Sequence, residues 1–128
     1  EIFEQSDFVS VHAAERPETK HLISDREFKL MKKSAYIVNS ARGPIIDEKA
    51  MVRALQNKEI AGAGLDVYEN EPIIEKELFE MDNVVLAPHL GSAGKDVREG
   101  MAHRVVDNIE ALIDGKTPPN CANPETLK

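Results

Sequence analysis

Five side chains capable of acid–base or anion chemistry lie at or after the ends of three apolar stretches. Arg42 follows Ala35-Tyr36-Ile37-Val38-Asn39; Asp66, Glu69 and Glu71 close and follow the stretch from Ile60 to Val67; His89 follows Asn83-Val84-Val85-Leu86-Ala87. A guanidinium is a fixed fork of donors suited to a carboxylate or carbonyl oxygen. An imidazole changes charge near neutrality and passes protons. A carboxylate beside it favours the charged ring. If the three stretches are parallel strands, their carboxyl ends share one edge, and these residues are neighbours in space. Together they can polarise a carbonyl group and deliver a proton to it. The plainer readings are an Arg42 that only pairs with a nearby acid, and a Glu71 that is one solvated acid among 23 Asp and Glu residues. His12, His21 and His103 read as ordinary loop, strand or helix histidines.

The pattern of the chain supplies the elements needed to place them. Asp7-Phe8-Val9-Ser10-Val11-His12 alternates and is β-branched, which predicts a strand. Ala13 to Lys20, with Pro17, reads as a polar loop. Ser24-Asp25-Arg26-Glu27 is a capping box, and Phe28, Leu30 and Met31 give the helix after it an apolar side. Ala35 to Asn39 is the second strand, with Ser40-Ala41-Arg42-Gly43-Pro44 as the turn. Asp47 is placed to cap a helix reaching about Asn57, with Ala50, Met51, Ala54 and Leu55 at helical spacing. Ile60 to Val67 is the third strand; Gly62 and Gly64 inside it suggest close approach of another backbone or a ligand. Tyr68 to Ile74 is an acidic loop, and Glu75 to Met81 holds one or two helical turns. Val84-Val85-Leu86 reads as a strand buried on both faces, stopped by Pro88, which cannot donate to a ladder. Ser92 is the expected cap of a long helix to Asp114 whose stripe is Val97, Met101, Val105, Ile109 and Leu112, with Gly115 as its stop. Thr117 to Lys128, with three prolines, is expected to be an extended tail. Strand and helix alternate without hairpin signals, which predicts an α/β fold: a parallel sheet with helices on its faces. Ligands of such sheets bind outside the strands' carboxyl ends.

Composition narrows the class. The 128 residues suit one domain of ordinary size. Hydrophobic residues make up 41% and charged residues 30%, the balance of a globular chain. The formal net charge of −7 and the lack of a basic block weigh against a nucleic-acid surface. No apolar run approaches the roughly 18 residues of a membrane span, and no signal peptide stands out. Cys121 is the single cysteine, which excludes an internal disulfide, fits a reducing cytoplasm and leaves no cysteine-rich metal site; no metal-ligand spacing is evident.

Several motifs, in order along the chain, carry a family resemblance. They are Ser6-Asp7-Phe8-Val9-Ser10-Val11-His12 with Pro17-Glu18-Thr19-Lys20-His21-Leu22-Ile23; Asn39-Ser40-Ala41-Arg42-Gly43-Pro44-Ile45-Ile46-Asp47-Glu48; Gly64-Leu65-Asp66-Val67-Tyr68-Glu69-Asn70-Glu71-Pro72; and Pro88-His89-Leu90-Gly91-Ser92-Ala93. Together they resemble the D-isomer-specific 2-hydroxyacid dehydrogenases, most of all the phosphoglycerate dehydrogenase and glyoxylate–hydroxypyruvate reductase branch. The resemblance implies a Rossmann-like, doubly wound parallel sheet. Residues 1–115 would be the carboxyl-terminal half of the NAD(P)-binding domain, and 116–128 a tail returning toward a substrate domain. It implies hydride transfer between NAD or NADP and a small 2-oxo or 2-hydroxy acid, in a cytoplasmic enzyme that is a homodimer at full length. The implied catalytic set is Arg42 on the substrate carboxylate and carbonyl oxygen, His89 as acid and base, and Glu71 holding His89 in its protonated form. Asp66 would face the nicotinamide amide, and Ala13, Ser40, Ala41, Arg42, His89 and Gly91 would line the cofactor.

Two departures qualify that reading. Ala14 stands where the family often has a proline, two residues after His12, and Glu15 follows it, which bears on the adenosine side of the pocket. No G-x-G-x-x-G phosphate loop occurs in these residues; the family carries it upstream, with the acid that reads the ribose. NAD and NADP therefore both remain open, as does the identity of the 2-oxo acid. Two rival readings are a corepressor-like module that senses nicotinamide nucleotides and a half-domain without activity of its own.

Overall fold

The computed structural model describes residues 1–126. It forms two compact units, one from Glu1 to Leu90 and one from Gly91 onward. The elements of the first are α1 (Ile2–Gln5), β1 (Phe8–Val11), α2 (Asp25–Leu30), β2 (Tyr36–Asn39), α3 (Glu48–Gln56), β3 (Gly62–Leu65) and β4 (Val84–Leu86). Short 3₁₀ turns occupy Pro17–Thr19, Gly43–Ile45 and Lys76–Glu80.

All four strands are parallel, in the order β1-β2-β3-β4. This is the α/β, Rossmann-like architecture expected from the alternating pattern. Each strand adds to the same side of the one before. Crossovers of one hand then all fall on one face of the sheet. That face meets α2 and α3 through Val9, Val11, Ile37, Ala63 and Leu65, which join Phe28, Met31, Ala50, Met51, Ala54 and Leu55 in one apolar cluster. Burial alternates residue by residue along β1 and β2 as period-two geometry requires.

The alternate positions face the other way. Phe8, Tyr36, Val38 and Val85 are exposed, and the Phe8 and Tyr36 rings stack with centroids 5.6 Å apart. Within the first unit the helices lie on one face of the sheet. One expectation is corrected here. Val84-Val85-Leu86 was expected to be buried on both sides, but β4 is an edge strand and Val85 is 71% exposed. An apolar run cannot reveal which of its faces a helix will reach. Leu30, expected on the apolar side of its helix, also points outward.

The helix starts follow local chemistry. Glu27 accepts a hydrogen bond from the Ser24 backbone N–H at 3.2 Å, as a capping box requires, while the Ser24 hydroxyl donates to Asp47 Oδ2 at 3.0 Å. Asp47 Oδ1 in turn accepts from the Ala50 N–H at 3.0 Å and caps α3. Gly62 and Gly64 behave differently. A Cβ at Gly62 would overlap the Asn83 carbonyl oxygen and lie 2.9 Å from the Tyr36 ring, whereas one at Gly64 would meet Val38 at 3.8 Å, an ordinary contact. Only Gly62 marks a close backbone approach.

In the second unit α4 spans Lys95–Ile113, and Gly94, not Ser92, is its N-cap. The expected stripe of Val97, Met101, Val105, Ile109 and Leu112 lies on this helix and is exposed. The following segment doubles back: Asn120 N–H donates to Asn108 Oδ1 at 3.0 Å, and Asn108 Nδ2 donates to Asn120 Oδ1 at 3.2 Å. Pro124–Thr126 adds a 3₁₀ turn to a stretch expected to be extended; the last residues of that stretch, 127 and 128, lie outside the described residues. No helix of the described residues is long and apolar enough to cross a membrane.

The Gly62 contact is open to direct test. Gly62→Ala is expected to lower the unfolding free energy by about 1–3 kcal/mol, the usual cost of overpacking, whereas Gly64→Ala shifts the denaturation midpoint much less. Equal midpoints in urea melts of the two variants would show that the β3–β4 approach tolerates a methyl group.

Candidate active site

The carboxyl edge of the sheet collects the residues singled out by chemistry. β2 ends at Asn39, which is buried, and its amide fixes the turn after it: Oδ1 accepts from the Ala41 N–H at 3.1 Å and Nδ2 donates to the Arg42 carbonyl at 3.0 Å. Arg42 thereby leaves the turn at a set angle. Its side chain is exposed, and Nη1 donates to the Ala41 carbonyl at 2.6 Å. Gly43 comes next. A Cβ there would overlap the Tyr68 carbonyl and crowd the Glu69 nitrogen, so the turn after β2 lies directly against the loop after β3.

That loop holds Glu71. Glu71 Oε1 accepts from the Tyr68 N–H at 3.0 Å, and Oε2 accepts from His89 Nδ1 at 2.8 Å. The His89 and Glu71 side chains are 46% and 36% exposed, so the pair is open to a small molecule. His89 has φ of 55°, in the left-handed region that non-glycine residues seldom adopt. Tyr68 steadies both partners. Its N–H binds Glu71, and its buried hydroxyl donates to the Ala87 carbonyl at 2.8 Å, two residues before His89. Burial pushes the Tyr68 phenol up, with the neighbouring carboxylates adding to the effect. Glu71 is held below the usual carboxylate value, first by the hydrogen bond from His89; burial opposes this, and the Tyr68 N–H and the charges of His89 and Arg42 add to the lowering. Arg42, Glu71 and His89, from three different loops, are thus brought into one electrostatic neighbourhood.

The remaining expected residues fall around three hollows of this edge. His12, Ala13, Ala41 and Arg42 line a cleft of about 820 Å³ shared with Arg16 and Lys20. Ser40 and Asp66 line a hollow of about 200 Å³ with Val38, Gly64 and Val85, on the uncovered side of the sheet. Glu71 and His89 line a third, of about 180 Å³, with Tyr68, Pro72, Ile74 and Pro88. Asp66 Oδ1 accepts from the Leu90 N–H at 2.6 Å and so fixes the backbone just after His89. Gly91 opens the second unit and is exposed.

Glu69 is turned away from His89. Its Oε1 pairs with His21 Nε2 at 2.7 Å, and its Oε2 accepts from the Glu48 N–H at 3.2 Å. His21, read as an ordinary histidine, ties the loop before α2 to the acidic loop. Three residues that shape the site escaped the sequence reading: Asn39, Tyr68 and Glu48. Each is polar and buried, and each spends its side chain on backbone groups. A polar residue at the end of an apolar strand, or a tyrosine just after one, is the signal that such a bond is needed.

Against this geometry the comparisons with known proteins are specific. A family model described as "D-isomer specific 2-hydroxyacid dehydrogenase, NAD binding domain" matches residues 1–91. The chain is 48% identical over 126 residues to a glyoxylate reductase of Thermococcus litoralis, covering 98% of this chain and 38% of that protein. A glyoxylate reductase structure from Paecilomyes thermophila superposes with a TM-score of 0.84 at 41% identity, over 88% of this chain and 34% of that one. The NADPH-dependent glyoxylate/hydroxypyruvate reductase of Sinorhizobium meliloti, solved with NADP and malonate, gives a TM-score of 0.84 at 38% identity, over 88% and 35% of the two chains. The chain belongs to the D-isomer-specific 2-hydroxyacid dehydrogenase family, within its NAD-binding domain. It spans about 38% of the length of the curated relatives it matches. The cofactor class expected from the sequence, NAD or NADP, agrees with that assignment.

The coupling of Glu71 to His89 has a measurable sign. Because its folded-state pKa is depressed, Glu71 contributes stability above its unfolded value, near 4.5, and that contribution disappears as pH falls through the lower folded value. Carboxyl NMR is expected to show Glu71 titrating below 4.5, and to move back toward 4.5 in His89→Ala, which removes the largest cause. An unmoved midpoint would mean that the pair is not formed in solution.

Proposed function

We propose that the protein containing this chain reduces a small 2-oxo acid with NADH or NADPH, with His89 as the proton donor, Glu71 as its partner and Arg42 on the substrate. The observation that carries this reading is the 2.8 Å bond between His89 Nδ1 and Glu71 Oε2 at the carboxyl edge of a parallel sheet. A carboxylate accepts only, so this bond places the proton of Nδ1 on the Glu71 side. Nε2 is then the nitrogen that meets the substrate. In reduction it donates a proton to the carbonyl oxygen, and in the reverse direction it removes one from the hydroxyl. Glu71 favours the imidazolium needed for the forward step. Arg42 grips the carboxylate of the 2-oxo acid and orients its carbonyl.

When bound, the dinucleotide supplies the hydride. The residues present suit such a group. The 820 Å³ cleft is within the usual range for a cofactor site and carries Arg16, Lys20 and Arg42 against Glu15, a positive local balance in an acidic chain. Ala13, Ala41 and Arg42 line that cleft, and with Ser40, Asp66, His89 and Gly91 they are the residues we assign to the dinucleotide, Asp66 toward the nicotinamide amide. We read residues 1–115 as the carboxyl-terminal half of the cofactor domain and 116–128 as a return toward the substrate domain. Glyoxylate and hydroxypyruvate are the first substrates to try, since relatives at 48% and 38% identity carry those names. A homodimer in the cytoplasm completes the reading.

In the intact enzyme, His89→Ala is expected to lower turnover by roughly 10²- to 10⁴-fold, the size of an acid–base contribution, with NAD(P)H affinity little changed. Stopped-flow assays with glyoxylate, hydroxypyruvate and phosphohydroxypyruvate test this; full turnover in the variant would sink the assignment. No reduction of any 2-oxo acid, with tight nucleotide binding retained, would favour a nucleotide-sensing role. Glu71→Gln is expected to shift the activity profile for reduction to lower pH, because an amide no longer favours the imidazolium. A profile that stays in place in a folded variant would remove Glu71 from the pair.

A further inference from the structure

Glu48 is the first residue of α3 and only 5% exposed. A buried carboxylate is costly unless its oxygens are satisfied. Here both are satisfied by the backbone of one loop. Oε2 accepts from the Glu69 N–H at 2.9 Å, and Oε1 accepts from the Glu75 N–H at 2.8 Å. Those two donors are the two stems of the acidic loop. Between them the chain makes a tight turn, closed by the Ile73 N–H donating to the Asn70 carbonyl at 2.9 Å, and Glu71 sits inside that turn. The arrangement is reciprocal, because Glu69 Oε2 accepts from the Glu48 N–H and Glu69 Oε1 binds His21.

We propose that Glu48 is a positioning residue for the Glu71–His89 pair: its two oxygens clamp both stems of the loop, and so set the height at which Glu71 meets the imidazole. The proposal rests on the acid–base reading of that pair. The geometry favours it over a role in general packing. Its side-chain oxygens bond to Glu69 and Glu75, the residues that flank the turn carrying Glu71. The charged and titratable groups around the clamp are Glu69, Glu75, His21 and the Tyr68 phenol; those around Glu71 are His89, Arg42 and the same Tyr68 phenol, which also feels Asp66. A freed stem lets the carboxylate drift, and misplacement of about 1 Å costs up to roughly 10²-fold in rate.

The test uses the intact enzyme and whichever of glyoxylate or hydroxypyruvate it reduces faster. Glu48→Ala is expected to lower kcat by about 10- to 100-fold while leaving KM nearly unchanged, and to move the pH profile downward in the same sense as Glu71→Gln. Glu48→Gln keeps the shape and one acceptor, and is expected to fall between the wild type and Glu48→Ala. In a Glu71→Gln background, Glu48→Ala is expected to move the profile no further, because the two act through one pair. A profile shifted by Glu71→Gln but untouched by either Glu48 variant overturns the proposal and leaves the acid–base reading standing. A profile untouched even by Glu71→Gln overturns that reading and the proposal with it. If Glu48→Ala fails to fold, Glu48→Gln decides, and loss of the fold in both overturns the proposal by making Glu48 a residue of the fold alone.

Discussion

The site depends on one close backbone contact. Gly43 lies so near the Tyr68 carbonyl that no side chain fits between them. The contact brings the turn after β2 against the loop after β3, although 25 positions separate Gly43 from Tyr68 (68 − 43). Arg42 precedes Gly43 and Glu71 follows Tyr68 by three residues, so the charge of Arg42 reaches Glu71 as a consequence of this packing. Glycine is required here for its lack of a Cβ, the role it plays wherever two backbones must touch. Its conformation is unremarkable; only the space is missing.

Loops packed this closely bury backbone donors that water cannot reach, and each needs an acceptor. The structure meets that need with side chains rather than with sheet. Asn39 satisfies the turn after β2, Tyr68 reaches the carbonyl before Pro88, and Glu48 serves the acidic loop. None of these three bonds to the Glu71–His89 pair directly, apart from the Tyr68 backbone. They hold the loops that do. No buried side-chain polar atom among the described residues lacks a partner. Removing any one of the three would leave a buried donor or acceptor unmet, a penalty of roughly 1–3 kcal/mol by the usual measure.

The elements themselves were legible from local signals. Alternation gave β1, the capping box gave α2, and Asp47 with its helical spacing gave α3. The edge carrying Arg42, Glu71 and His89 followed from parallel topology, since every strand then ends on the same side. Composition and spacing could not settle pairing across loops; the family resemblance alone singled out Glu71 as the partner of His89, and it missed the bond between Glu69 and His21. Glu69 and Glu71 are two residues apart and chemically alike, yet one binds His21 and the other His89. Only the course of the loop decides between them. Burial of faces escaped for a related reason: Val85 and Phe8 have the composition of core residues, and their exposure reflects which side the crossovers take. The Ser92 cap failed because Ser92 lies two residues before the true N-cap, and helix boundaries drift by that much whenever several small residues precede a helix.

Charge at the site runs against the charge of the chain. The net charge is −7, yet the 820 Å³ cleft at the sheet edge gathers Arg16, Lys20 and Arg42 against a single acid, Glu15. Distant surface acids do little to oppose an anion entering there, because salt screens charges beyond a Debye length of about 8 Å. Local composition therefore governs what the cleft accepts. The acids around His89 are already committed: Glu69 to His21, Asp66 to the Leu90 N–H and Glu71 to His89 itself. A bound anion consequently meets cations on the cleft side and carboxylates whose charge is turned toward their own partners. The charge of Arg42 also reaches Glu71 and, with the bond from His89, favours its ionised form. An acidic protein can in this way present an anion-binding edge, provided its loops bind their own carboxylates first.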